Sequence, residues 1–294
     1  MIFPISFSIP ACKIVDKVPE KTRETAIIIP GDFSTYIYQD EESYYKGYQE
    51  SWFGLTKKKS GWDCLRHYEI LANGCIPMFE GLDKCPPKIM THFPKELVLK
   101  ANQDLANKAL YAEQLLNYTR EHLTTRAMAS YVLKMCNKES IKSVLYLSGG
   151  DAWGLYVDYL RCLTLHGFKE LFGANCHDYP KIPHLYKDYP GDRNALYGKG
   201  FSCSYLLDSK TDRNDELDKT VLEDIRQHKY DLIIYGSTHR GQPFLDTVTW
   251  EYHPTQVVFF CGEDMYDTTE YKRCPLQFYS EKGHPCFIRE IHEE

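Results

Sequence analysis

No apolar run in this chain approaches the ~18 residues that a membrane-spanning helix requires. Internal repeats and low-complexity tracts are also missing, which sets aside solenoid and disordered classes. There is no CxxC pair, and the eleven cysteines are odd in number. That pattern offers no zinc site and no complete disulfide framework, and it predicts free thiols in a reducing compartment. An excess of positive charge is lacking too: 35 Lys and Arg face 41 Asp and Glu, for a net charge of −6. A general nucleic-acid binder is usually basic, so no nucleic-acid partner is expected. The apolar start, MIFPISFSIP, has no basic leader and holds two prolines, so it predicts a strand instead of a signal peptide. These absences together predict a soluble, cytoplasmic chain without an integral membrane segment.

What is present is an ordinary globular composition, 43% hydrophobic and 26% charged over 294 residues. That length suits two domains of about 150 residues each. The stretch Ser51 to Phe79 reads strand, basic loop, helix, Gly turn, strand. Lys57, Lys58 and Lys59 follow the strand, Ser60-Gly61 leads into a helix over about Trp62 to Ala72, and Asn73-Gly74 ends it. Trp62, Arg66 and Glu69 fall at i, i+4 and i+7 and share one helix face. Three lysines beside a helix start make an anion site, with Glu69 two turns along; the other reading is a solvated loop and a surface Arg66–Glu69 ion pair.

Elsewhere, Phe3 to Ile9 and Thr25 to Ile29 read as strands, and Leu97-Val98-Leu99 as a short buried strand. Asp104 to Asn117 and Leu123 to Met135 read as helices, the second capped by Thr124 or Thr125. After the polar break Asn137–Ser140, Ser143 to Leu147 is a buried strand, followed by Ser148-Gly149-Gly150-Asp151 and a helix from about Gly154 to Leu165. A strand, a Gly-rich turn and a helix open a Rossmann-type unit. Asp231 to Tyr235 and Gln256 to Cys261 are further buried strands, ending in Ser237–Arg240 and Glu263-Asp264; Leu171 to Asp218 reads as mostly loop. The expected architecture is α/β, two Rossmann-like domains divided at 137/138, with ligands at the strand carboxyl ends.

Those ends carry the catalytic candidates. Asp151 is either a general base or a helix N-cap. His239, with Arg240 beside it, is either a base next to a phosphate ligand or a loop hydrogen-bonding group. Glu263 and Asp264 either act as base, bind sugar hydroxyls, or only stabilise their loop. Trp62 and Trp153 either stack on a ligand or fill the core. No metal-ligand spacing appears. The SGGDAWG turn, residues 148–154, also admits an S-adenosylmethionine-dependent methyltransferase or another nucleotide-cofactor enzyme.

The segment Phe53-Gly54-Leu55-Thr56, Gly61, Leu65, Glu69, Ala72, Gly74, Pro77 resembles the donor-binding segment of GT-B glycosyltransferases. Arg66 and Glu69 with Gly74-Cys75-Ile76-Pro77 are most similar to the exostosin-like members, with looser likeness to viral and algal relatives at Phe93-Pro94-Lys95 and around His122 to Thr125. The resemblance implies a glycosyltransferase that moves a sugar from a UDP- or GDP-sugar to a glycan or glycoprotein hydroxyl, with inversion and without a metal. By the same resemblance Glu69 would bind the ribose, and Arg66 with Lys57, Lys58 and Lys59 the diphosphate. Retaining members carry a second glutamate where Gly61 stands here, and the donor-like domain comes first instead of second.

Overall fold

The segments 144–147, 232–235 and 257–261 are almost wholly apolar, and in a computed structural model they form the buried centre of a parallel sheet. The structure describes residues 1–149, 157–264 and 276–291. In chain order its strands are β1 (Ile2–Pro4), β2 (Arg23–Thr25), β3 (Ser51–Lys57), β4 (Ile76–Glu80), β5 (Val144–Leu147), β6 (Cys176–Tyr179), β7 (Leu232–Tyr235), β8 (Val257–Cys261) and β9 (Cys286–Ile288). The helices are α1 (Glu41–Gln49), α2 (Leu65–Ala72), α3 (Lys95–Gln103), α4 (Lys108–His122), α5 (Thr125–Met135), α6 (Tyr159–Phe172), α7 (Val221–Arg226), α8 (Leu245–Glu251) and α9 (Leu276–Glu281).

Two sheets result, one of six strands in the order β1-β9-β8-β7-β5-β6 and one of three in the order β2-β3-β4. Every neighbouring pair is parallel. Every residue of β5, β7 and β8 is buried, as expected where helices cover both faces of a parallel sheet. The chain leaves β5 for β6 on one side and returns to β7 on the other, so the strand order reverses between β5 and β7. That reversal is the place where open α/β sheets bind ligands, outside the carboxyl ends of the strands.

The chain crosses the expected division at 137/138. β1 pairs with β9, Ile2 opposite Cys286 and Pro4 opposite Ile288. α5 packs on α6 so closely that a Cβ at Gly167 would lie 2.0 Å from the Thr125 carbonyl oxygen. One hydrophobic core runs through both halves, from Phe53, Tyr68 and Leu115 to Val144, Leu163 and Phe287. A second lies on the other face of the large sheet, around Leu145, Ile233 and Phe259.

Several local expectations change. Leu97-Val98-Leu99 lies inside α3, a helix burying Val98 and Ala101 and flanked by Lys, Glu and Gln, which favour helix. β6 interrupts the expected loop of 171–218; its sequence, Cys-His-Asp-Tyr, hides an edge strand behind polar residues. The strand expected at Thr25–Ile29 is the short β2, though burial still alternates beyond it, with Ala26 and Ile28 inside and Ile27 and Ile29 exposed. Of Phe3–Ile9 only the first residues join a strand, because the partner β9 is itself three residues long. Thr124 caps α5, accepting from the Ala127 N–H at 3.1 Å. Gly74, after α2, adopts φ +61°, the left-handed turn that the Asn-Gly pair predicts.

Candidate functional site at the strand carboxyl ends

β3 delivers the lysine run to the carboxyl end of the small sheet. Thr56, its next-to-last residue, and the Trp62 carbonyl are clamped by one ring. His67 lies 2.9 Å from the Trp62 oxygen through Nε2 and 2.8 Å from Thr56 Oγ1 through Nδ1. A carbonyl only accepts, so Nε2 carries the proton and Nδ1 accepts from the threonine. Burial lowers the His67 pKa to about 3, which keeps this ring neutral.

The end of β3, the clamped loop and the first turn of α2 present four cations, Lys57, Lys58, Lys59 and Arg66. Lys58 Nζ lies 5.3 Å from the Trp62 ring centre. Lys59 Nζ lies 5.7 Å from the ring centre of Tyr36, and the Arg66 guanidinium 5.1 Å from the same ring. Lys59 also donates to the Tyr36 hydroxyl at 3.4 Å. None of Lys57, Lys58, Lys59 and Arg66 forms an ion pair among the described residues. Arg66 Nε is buried without a hydrogen-bond partner. The positive field shows at Tyr36: burial works against ionisation, yet the Gly31 N–H and the charges of Arg66 and Lys59 hold its phenol below the ordinary value. Trp62 is 9% exposed and packs near Phe79, so its ring belongs to the core while Lys58 Nζ lies over it.

Glu69 points elsewhere. It makes no ion pair with Arg66; Tyr44 OH donates to Oε2 at 2.6 Å and Ser202 Oγ donates to Oε1. Burial pushes this carboxyl up in pKa against those two hydrogen bonds. Ser202 comes from the connection between β6 and α7, which folds back onto α1.

The second group lies at the ends of β7 and β8. His239 Nε2 is 2.6 Å from Glu263 Oε1 and 3.7 Å from Asp158 Oδ2. Asp158 caps α6, accepting from the Arg161 N–H at 3.1 Å, and also accepts from Ser237 Oγ at 2.6 Å and Arg240 Nε at 3.0 Å. Burial alone would raise its pKa, but the charges of Arg161, His239 and Arg240 hold it down to about 2. Burial likewise disfavours the charged His239 ring; contacts with Cys261 and Glu263 and the charge of Asp158 outweigh it and lift His239 to about 9. Gly149 sits against this loop: a Cβ there would lie 2.3 Å from the Arg240 carbonyl atoms.

Asp264 belongs to a third set, which joins the first two. Arg289 is 1% exposed; it donates to the Asp63 carbonyl, to Asp264, to Glu290 at 3.1 Å and to the Gly262 carbonyl at 3.1 Å. The Asp63 N–H donates to Glu290 Oε1 at 2.7 Å. Asp63 itself accepts from the Phe7 N–H and the Tyr68 hydroxyl, each at 2.7 Å. Gly61 lies against this set, its Cβ position 2.6 Å from Glu290 Oε1 and 3.2 Å from the Asp264 carbonyl oxygen. The Arg289 network thus pins the start of α2, next to the lysine loop, to the exit of β8, next to Glu263.

Of the sequence-predicted residues, the fold gathers Lys57, Lys58, Lys59, Gly61 and Arg66 on one side and His239, Glu263 and Asp264 on the other. Asp151, and the SGGDAWG turn beyond Gly149, lie outside the described residues. Among the described residues no His, Cys, Asp or Glu group of three is placed to hold a metal ion, and ten cysteines are free thiols. No helix among them is long and apolar enough to cross a membrane. An open cavity of about 490 Å³ between residues 12–20 and α1, lined by Lys13, Glu41 and Tyr45, contains none of the predicted site residues. The residues missed were Tyr36, Asp158, Arg289 and Glu290. Only Asp158 carried a local signal, an acidic residue just before an apolar helix. No family model, curated protein or solved structure matches the chain.

Proposed function

We propose that the chain is a glycosyltransferase of GT-B-like, two-unit organisation that takes its sugar from a nucleotide diphosphate donor. The observation that carries this reading is the set of four cations, Lys57, Lys58, Lys59 and Arg66, without ion-pair partners among the described residues at the carboxyl end of a parallel sheet. Cations in a folded protein are normally neutralised by neighbours or by solvent, and a cluster backed by aromatic rings fits a polyanion such as a diphosphate. The Arg289 network supports the reading further, because it holds this cluster beside a second group of titratable residues. In that arrangement an acceptor hydroxyl, deprotonated by a carboxylate at the β8 exit, Glu263 or Asp264, attacks the sugar carbon opposite the leaving diphosphate. The bond to the diphosphate breaks, the configuration inverts, and the lysines and Arg66 take up the developing negative charge. Side-chain cations supply that charge, so the reading requires no metal. Glu69 orders the ribose side of the site through Tyr44 and Ser202; direct ribose contact by Glu69 would require Ser202 to give up its hydrogen bond.

Calorimetric titration with UDP and GDP tests the reading, followed by assay of diphosphate release from UDP- and GDP-sugars. Wild-type protein should bind at least one nucleotide, and the Lys58→Gln/Lys59→Gln double variant should bind it at least tenfold more weakly. Equal affinity in the double variant would remove the lysine loop from the site. Binding of S-adenosylmethionine without any nucleotide would replace the reading with a methyltransferase.

A further inference from the structure

Four apolar side chains stand out of the segment 27–37. Ile27 is 39% exposed, Ile29 45%, Phe33 82% and Ile37 52%. Single exposed apolar residues are common on protein surfaces, but four in so short a segment form a patch. Ile27 and Ile29 face out because burial alternates beyond β2, with Ala26 and Ile28 turned in. The turn that follows holds Phe33 out. The Ile29 N–H donates to Thr35 Oγ1 at 3.0 Å, the Asp32 N–H to the Ile29 carbonyl at 3.1 Å and the Gly31 N–H to the Tyr36 hydroxyl at 3.3 Å. Asp32 accepts from the Ser34 N–H at 3.0 Å and from its hydroxyl at 2.6 Å. Phe33 packs edge-on against Tyr36, ring centres 5.5 Å apart, and Tyr36 is the ring on which Lys59 and Arg66 rest. The apolar patch is therefore continuous with the cation cluster.

We propose that this face docks the protein on an anionic lipid bilayer, with Ile29 and Phe33 in the headgroup region and Lys58 and Lys59 against lipid phosphates. Charge argues for that occupant. The segments 27–37 and 57–66 hold four cations against two carboxylates, Asp32 and the buried Asp63, which is taken up by Phe7 and Tyr68; Glu80 stands across from Lys57 in the β3–β4 register. Apolar side chains bordered by uncompensated lysines are the combination that holds a protein on acidic lipid. Shape argues the same way. A ring that is 82% exposed projects from the surface and lines no pocket, and a fluid layer closes around such a ring where a rigid partner needs a matching hole. The turn is already closed by its own hydrogen bonds, so docking requires little further ordering. The protein would lie on the bilayer and not span it. The inference goes beyond the donor reading: Ile29 and Phe33 take no part in that site, while the lysines serve both, so the apolar residues carry the test.

The test is cosedimentation of the full chain with vesicles of phosphatidylcholine containing phosphatidylserine, against vesicles of phosphatidylcholine alone. The protein should sediment with the first, bind the second at least tenfold more weakly, and leave the first as salt rises. Ile29→Ser/Phe33→Ser should bind the anionic vesicles at least tenfold more weakly, with an unchanged urea midpoint, since both positions are exposed. Trp250→Ser removes a ring that is just as exposed, at 86%, but lies on α8, and should bind like wild type. Phe33→Trp should shift its emission to the blue with anionic vesicles and not with neutral ones. Absence of wild-type sedimentation overturns the proposal and gives the patch to a protein partner. Equal binding to both vesicles, equal binding by the double variant, an equal loss in Trp250→Ser, or no shift in Phe33→Trp also overturns it. Calorimetry with UDP and GDP separates this inference from the donor reading, because Ile29→Ser/Phe33→Ser should match wild type there. Vesicle binding without nucleotide binding removes the donor reading and keeps the docking face; nucleotide binding without vesicle binding does the reverse.

Discussion

The lysine loop and the Arg289 network lie side by side and treat charge in opposite ways. Lys58, Lys59 and Arg66 rest on aromatic rings with no carboxylate partner among the described residues. Arg289 is sealed from solvent among Asp264, Glu290 and the carbonyls of Asp63 and Gly262. Unpaired charge at a strand end is available to a ligand and adds little to stability. Paired charge in the interior is costly to desolvate, gives little net stability, and becomes strongly destabilising when one partner is removed. In the proposed reading the first region is the part of the site that binds, while the second sets the relative position of α2 and β8.

The sharpest way to break this contrast is Arg289→Met. It leaves Glu290 buried without a cation and should cost about 3–5 kcal/mol in chemical denaturation, as removal of one member of a buried pair does. A loss under about 1 kcal/mol would mean that the network does not anchor α2. Glu290 offers a finer test through pH. Burial raises its pKa to about 7 from an ordinary 4.5, with Arg289 opposing. A carboxyl whose folded-state pKa is raised favours the fold while protonated. Its contribution is full below 4.5 and fades as pH rises towards 7. Urea midpoints for wild type should therefore carry a downward component between pH 5 and 7.5 that Glu290→Gln lacks; identical pH dependence in the two proteins would contradict it. The smallest expected effect is on the other side of the comparison. Lys58→Gln/Lys59→Gln should leave stability within about 0.5 kcal/mol by denaturant titration, as surface changes without partners do. A larger loss would show these lysines to be structural and not held open for a ligand.

Much of the fold was legible because it is local. The apolar runs of β5, β7 and β8 and the strand–loop–helix–Gly–strand order of 51–79 follow from period and turn chemistry. β9 escaped notice because Cys-Phe-Ile is three residues long and is followed by Arg-Glu, which in sequence looks like a solvated tail. α3 was misread for a related reason: a three-residue apolar run does not tell a strand from a buried helix turn. Asp158 was passed over because the helix it caps was placed from Gly154 onwards, several residues before its start at Tyr159.

By itself the sequence determined that this is an α/β chain with a basic loop ahead of α2 and polar loops after its apolar strands, since periodicity and turn residues act over a few positions. Only the tertiary structure decided which of those charges are spent on one another. Arg289 reaches Asp63 across 226 residues and Ser202 reaches Glu69 across 133. At such separations pairing depends on how sheets and helices stack, and residue spacing along the chain carries no record of it. The same lysines and glutamates that looked alike as candidates thus part company once folded: the lysines meet no carboxylate among the described residues, and Glu69 is already bound by its own chain.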